Sequence, residues 1–281
     1  MSKTVALINM KGGVGKSTLA VNLAWQFTGI HGQDKNVLVV DLDPQFNASQ
    51  YLLGAEGYRK KIVDPKRATI WDVFEQQTRT PGSATPRTLN PTDVIVNVSK
   101  WPENRLDLLP STLELAWSLK QPAQKEHLLE KFLSKVSNDY DLVIIDCAPT
   151  ESVLTTAAYL ASQYVLVPVK PEYLSTIGLP LLARSLEEFH QQYDDHKVET
   201  LGIVFNHATQ YEPEEALSKK EVRTEAKRFG WHLFDAEISY SRSYPKGARE
   251  GKPIFNTSWA HKKQKAKFGD FAAQFAERLG I

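Results

Sequence analysis

Residues Lys11 to Thr18 read Lys-Gly-Gly-Val-Gly-Lys-Ser-Thr, a run whose residue types suit the binding of a polyphosphate. Glycines let the backbone curl until successive N–H groups converge on an anion, and a helix that begins at their end adds its positive terminus. Lys16 is then placed to reach the β- and γ-phosphates of a nucleotide, and the Ser17 hydroxyl to ligate Mg²⁺. Two lysines aimed into one loop repel each other unless an anion lies between them, which disfavours a plain Gly-rich turn. The general phosphate-loop pattern has a glycine five positions before the Gly-Lys pair, where this chain has Met10.

Carboxylates follow at two further points. Val40-Asp41-Leu42-Asp43-Pro44-Gln45 puts two acids at the end of an apolar run, the edge at which open α/β sheets bind ligands. Asp41 points to the same side of the strand as Asp43 and is read either as part of a magnesium shell or as an ordinary acid at the start of a loop. Ile144-Ile145-Asp146 ends another apolar run, and a carboxylate there can hold Mg²⁺ through a water while the following turn senses the γ-phosphate. Cys147 beside it reads as a small buried residue with no redox role.

The octapeptide from Lys11 to Thr18, in a strand–loop–helix context, resembles the deviant Walker A box of the ParA/MinD family of ATPases. That resemblance implies ATP and Mg²⁺ as cofactors, slow hydrolysis by an in-line water, and a homodimer formed on ATP binding. In such a dimer Lys11 reaches the ATP held by the other subunit. Lys11, Lys16 and Asp43 are the implied catalytic residues, with Asp43 of Asp-Pro-Gln orienting the attacking water. Gly12, Gly13, Val14, Gly15, Lys16, Ser17 and Thr18 join Lys11 in holding the nucleotide, and Ser17, Asp41 and Asp146 are the candidate metal residues. The family reads Asp-x-Pro-Pro where this chain has Ala148 in place of the first proline. Val167-Pro168-Val169-Lys170-Pro171-Glu172 is similar to a family segment whose Glu approaches the nucleotide across the dimer, which makes Glu172 the matching residue. Asn206, in Phe205-Asn206-His207, resembles the residue that hydrogen-bonds adenine, although Asn is also a common turn residue. His207 has no matching role.

Elements that would position these residues are legible in the pattern. Short runs rich in Val, Ile and Leu at 5–9, 37–41, 106–109, 142–146, 164–169 and 201–206 alternate with amphipathic stretches at 17–27, 127–136, 177–193 and 214–229. Continuous apolarity indicates strands buried on both faces. The expected fold is α/β, a mostly parallel twisted sheet flanked by helices on both faces. One domain spanning 1–281 is expected. The proline-rich stretch at 54–104, with one helix near 70–77, is read as a long surface connection.

With 42% hydrophobic and 24% charged residues, the composition excludes a disordered chain. No apolar run approaches the ~18–20 residues of a membrane span. A single cysteine and an N-terminus without a charged, then long apolar, leader point to the cytoplasm. That single cysteine also argues against a cluster-bearing metabolic relative, since it cannot supply the ligands.

The formal charge of +1 conceals an asymmetry. Residues 242–267 hold Arg242, Lys246, Arg249, Lys252, Lys262, Lys263, Lys265 and Lys267 against the single acid Glu250, the pattern of an anion-binding face. Partitioning members of the family hold nonspecific DNA with basic residues in this region, near a Gly-Lys-Pro like Gly251-Lys252-Pro253. The expectation is therefore a nucleoid-associated partition ATPase, with Arg242, Lys246, Arg249, Lys252, Lys262 and Lys263 on DNA. A ParB-like or other cargo-adaptor protein would stimulate its hydrolysis, and the cargo would be a plasmid, a chromosome or a protein body. The alternative is a MinD-like regulator on a membrane surface. The last helix carries Phe268, Phe271, Ala272, Phe275 and Leu279 on one face. Its second half has little basic charge, so core packing is expected and a membrane partner is not.

Overall fold

A computed structural model describes residues 2–28, 34–76, 89–120, 125–209, 213–259 and 262–281. In the first half, β1 (Lys3–Leu7), α1 (Lys16–Phe27), β2 (Val37–Leu42), α2 (Asn47–Tyr58), α3 (Ile70–Glu75), α4 (Pro91–Val94), β3 (Val96–Lys100), β4 (Arg105–Leu109), α5 (Leu115–Ser118) and α6 (Leu128–Ser134) follow in order. The second half comprises β5 (Leu142–Cys147), α7 (Val153–Leu160), β6 (Tyr164–Val169), α8 (Tyr173–Thr176), α9 (Gly178–Gln192), β7 (Glu199–Ala208), α10 (Pro213–Phe229), β8 (Ile238–Ser239), α11 (Ser243–Glu250) and α12 (Lys262–Leu279).

The eight strands form one sheet in the order β3-β4-β2-β5-β1-β6-β7-β8. All pairings are parallel except that of β3 with β4. Strands β2 and β5 are buried along their whole length, as continuous apolarity requires when helices cover both faces. Alternate side chains divide the core in two. Val5, Leu7, Val37, Val39, Leu142 and Ile144 pack beneath α1, α2 and α12. Ala6, Ile8, Leu38, Val40, Val143 and Ile145 pack on the other face, with residues of α3, α6, α7, α9 and α10. The expected α/β class and the helices on both faces are therefore present.

Three differences concern the site. The first strand ends at Leu7 rather than at Asn9, so Asn9 belongs to the loop. Two strands beyond the expected six, β3 and β8, complete the edges. The stretch at 54–104 is also more than a surface connection. It contains a π-helical turn at Arg59–Val63 together with α3, α4 and β3, and Ile70, Val73, Phe74 and Val94 are fully buried. Thr69 and Asp72 cap α3 reciprocally, a signal that the surrounding prolines obscure. Gln77, Pro81 and Pro86 lie outside the described residues.

At the C-terminus, α12 buries Phe268, Phe271, Ala272, Phe275 and Leu279. The Phe275 ring lies 5.6 Å from that of Phe27 on α1. Its apolar face is core, as expected. No helix among the described residues is long and apolar enough to cross a membrane.

Candidate functional site

Because β1, β5 and β6 are adjacent and parallel, the segments leaving their C-terminal ends converge on one edge of the sheet. The β1–α1 loop bends through left-handed backbone at Gly13 (φ 78°) and Gly15 (φ 84°), a conformation open to glycine at little cost. Gly15 is constrained a second time, since a Cβ there would sit 2.5 Å from Asn206 Nδ2. Asn9 braces the start of the loop: its Oδ1 accepts from Lys11 N at 2.9 Å, and its Nδ2 donates to Pro168 O at 2.8 Å. The Lys16 ammonium is buried and donates to Asn9 O at 3.1 Å and Lys11 O at 3.3 Å. Burial lowers its pKa, against the raising influence of Asp146, Cys147 and Asp43.

Asp41 and Asp146 are register partners on β2 and β5 and are both fully buried, yet their surroundings differ. Asp41 Oδ2 accepts from Ser49 N at 2.7 Å and Ser49 Oγ at 2.6 Å, and Oδ1 accepts from Asp43 N at 3.3 Å. Burial nevertheless pushes its pKa up to about 7. This carboxylate ties the loop 43–49 to the sheet, and both oxygens expected in a magnesium shell are engaged in that task. Neither oxygen of Asp146 accepts a well-formed hydrogen bond, although the Ser17 hydroxyl and the Lys16 ammonium lie near enough to favour its charge. Its pKa is held well above the usual carboxylate range, by burial first and by Asp41 next, with the Ser17 hydroxyl and Lys16 ammonium opposing. A buried carboxylate that accepts no well-formed hydrogen bond is costly, by about 1–3 kcal/mol or more. A hydrated cation beside Ser17 and Asp146 would relieve that cost. Among the described residues no group of three or more His, Cys, Asp or Glu could hold a metal. Magnesium suits such a ligand-poor site because it keeps most of its waters and takes oxygens from phosphate.

Asp43 is buried at the mouth, where its Oδ1 accepts from Gln45 N at 2.9 Å. Ser111, in the loop after β4, donates its hydroxyl to Asp43 O at 2.8 Å and its N–H to Ser49 Oγ at 3.0 Å. Ser49 and Ser111 thus order the loop that carries Asp43. Neither stands out in the sequence, because their partners lie across strands.

The two residues expected to act across a dimer meet within the chain. Lys11 Nζ lies 2.5 Å from Glu172 Oε1, and Lys170 Nζ lies 2.6 Å from Glu172 Oε2. Hydrogen bonds from Lys11 and then Lys170 hold the Glu172 carboxyl below its ordinary pKa. Asn206, the residue matched to an adenine contact, has partners within the chain as well. Its amide donates to Val14 O at 2.8 Å and Gly15 O at 3.5 Å, and its Oδ1 accepts from His207 N, so it braces the phosphate loop from behind. His207, unassigned from sequence, has φ 58° and rests beside the rings of Tyr240 and Tyr244. Burial lowers its pKa.

A cavity of about 610 Å³ gathers Gly12, Gly13, Gly15, Lys16, Ser17, Thr18 and Asp43 with Gln45, Asn47, Gln50 and Tyr51 of the following segment and Arg249 of α11. Its volume is that of an ordinary small-molecule site. Arg249 is expected from sequence among the DNA-contacting residues; it is exposed as they are, and it also lines this cleft. Arg242, Lys252, Lys262 and Lys263 are exposed. Lys246 pairs with Glu250 at 3.3 Å and sits 5.2 Å from the Trp259 ring centroid.

A family model described as an AAA domain (AAA_31) matches residues 2–199. The chain is 30% identical to the chromosome-partitioning ATPase Soj of Treponema pallidum over 254 residues, 90% of this chain and 89% of that protein. In fold it is similar to apo McdA of Cyanothece, with a TM-score of 0.79 at 20% identity and full coverage of both chains. It is also similar to a putative plasmid partition protein of Borrelia burgdorferi bound to AMPPNP, with a TM-score of 0.76 at 21% identity, covering 99% of this chain and 100% of that one.

Proposed function

The chain belongs to the ParA-type ATPases, within the AAA-domain family, and from that premise we propose that it is a Mg-ATP-dependent cytoplasmic positioning ATPase that dimerises on ATP and holds nonspecific DNA. The observation that carries the nucleotide half is the convergence of the two-lysine loop, Asp43 and the buried Asp146 carboxylate on one edge of the sheet. Gly12 to Thr18 cradle the phosphates, and Lys16 exchanges two backbone carbonyls for phosphate oxygens. Ser17 and Asp146 hold the metal side. When bound, Mg²⁺ balances charge on the β- and γ-phosphates. Asp43, steadied by Ser111 and Gln45, orients the attacking water, and Lys11 leaves Glu172 to meet the nucleotide of the other subunit. Stabilisation by fixed charges in such a cleft requires no reorganisation during the reaction.

The DNA half rests on the exposed Arg242, Lys252, Lys262 and Lys263. Cations in the first turn of α12 oppose the helix dipole, and that turn contains no acid, so an external anion compensates them better than the fold does. In this reading the protein is nucleoid-associated, and a cargo-bound ParB-like adaptor stimulates hydrolysis. The buried apolar face of α12 leaves little for a lipid surface, which counts against the MinD-like alternative. Co-sedimentation with duplex DNA and with anionic liposomes, each with ATP and with ADP, tests the proposal. Binding to DNA is expected only with ATP, with a slope of log affinity against log salt of about −4 to −7 for two to four phosphate contacts per subunit. Salt-insensitive or ATP-independent DNA binding, or liposome binding instead, would overturn it.

A further inference from the structure

We infer that Arg249 is a nucleotide-contacting residue: its guanidinium takes a phosphate oxygen of the nucleotide bound in the same subunit. The inference rests on the nucleotide reading of the cleft and adds to it a cation from the far end of the chain. Arg249 lies on α11 and lines the cavity that also exposes Gly13, Lys16 and Ser17. It makes no ion pair or hydrogen bond among the described residues. Arg249 shares this cavity with Lys16 and the N-terminus of α1, so an anion bound there would be favoured by all three. Arginine suits that task because its planar fork meets two oxygens at once.

The helix that carries Arg249 is pinned to the two helices that frame the cleft. A Cβ on Gly247 would lie 2.5 Å from Tyr51 Oη, so α11 and α2 touch closely at that point. Just beyond α11, Ile254 N donates at 2.8 Å to the buried Oδ1 of Asn22 on α1. Gly251 closes α11 in left-handed backbone (φ 60°), which turns the chain back toward α1. Arg249, although exposed to solvent, is therefore presented to the cleft by a fixed scaffold.

The test is titration of the full chain with a fluorescent ATP analogue and Mg²⁺, comparing the parent with Arg249→Ala, Arg249→Lys and the surface control Lys227→Ala. Removing one charge-assisted hydrogen bond predicts about tenfold to a hundredfold weaker binding for Arg249→Ala. Arg249→Lys should fall between, and Lys227→Ala, which removes the same charge elsewhere, should match the parent. Without nucleotide, the thermal midpoint of Arg249→Ala should equal that of the parent, since the side chain has no partner among the described residues; a lowered midpoint would mark a structural residue and overturn the inference. Parental affinity in Arg249→Ala would overturn this inference alone. Failure of the parent itself to bind the analogue would overturn the nucleotide reading and this inference with it.

Discussion

The phosphate loop and the basic segment around α11 and α12 are both candidate anion sites, and they are built in opposite ways. In the loop the work falls to backbone. Gly13 and Gly15 take up left-handed φ, Asn9 and Asn206 hold the loop from two sides, and Lys16 is buried against carbonyls. In the basic segment the work falls to exposed side chains on helix surfaces, where Arg242, Lys252, Lys262 and Lys263 face solvent. A ligand of one shape is recognised by the first kind of site, and a repeating polyanion without sequence by the second. Replacing a residue of the loop should therefore abolish a step, whereas replacing one of the basic segment should only grade it.

The most severe break is Lys16→Ala. It removes the buried cation nearest the phosphates, and ATP affinity should fall by about a hundredfold or more in titrations with a fluorescent analogue, while the circular dichroism spectrum stays that of the parent. Undiminished affinity would remove the loop from the nucleotide site.

Asp43→Ala leaves the cradle and Ser17 in place and takes away the group proposed to orient the water. Turnover should drop by about 10²-fold, with ATP occupancy retained, as read by phosphate release and by nucleotide content after gel filtration. Parental turnover would transfer the role away from Asp43. Asp41 would be a poor heir, since Ser49 and the Asp43 N–H occupy it.

Lys11→Ala sharpens the comparison inside the loop itself, because Lys11 is held by Glu172 rather than by the backbone cradle. Binding of ATP by the monomer should change by less than about threefold, as befits a half-exposed pair worth ~1 kcal/mol or less. Dimerisation with a non-hydrolysable analogue, followed by light scattering, should be abolished. A variant that dimerises like the parent would refute the trans role.

The mildest break falls on the other region. Arg242→Glu with Lys246→Glu should weaken binding to all DNA sequences alike and flatten the salt slope by about 2 or more, at ~0.9 for each phosphate no longer neutralised. Turnover without DNA should be unaltered. A change confined to particular sequences would mean base readout instead of phosphate binding.

What could be read from the chain alone was whatever is settled within a few residues. The glycine spacing that curls the loop, the apolar runs that become β2 and β5, and the acids Asp43 and Asp146 at strand ends all express local backbone preference and burial. The proline-rich stretch misled because α3 is short, and its reciprocal Thr69–Asp72 cap is a weak signal among many breakers.

Only the tertiary structure decided which group each of these residues meets. Asp41 and Asp146 sit alike at strand ends and pair in register, yet Ser49 and the backbone of the following loop engage the first, whereas neither oxygen of the second accepts a well-formed hydrogen bond. Asn206 lies near the end of β7, 191 residues from Gly15, and it braces the loop because the strand order puts β7 one strand beyond β6. Lys11 and Glu172 are 161 residues apart, and Arg249 reaches the cleft because Gly247 and Asn22 admit α11 against α2 and α1. The reason is physical: local sequence sets the torsions of a segment, but the partner of a side chain across the sheet depends on strand order, register and the close approach of helices, which arise only when the whole chain is packed.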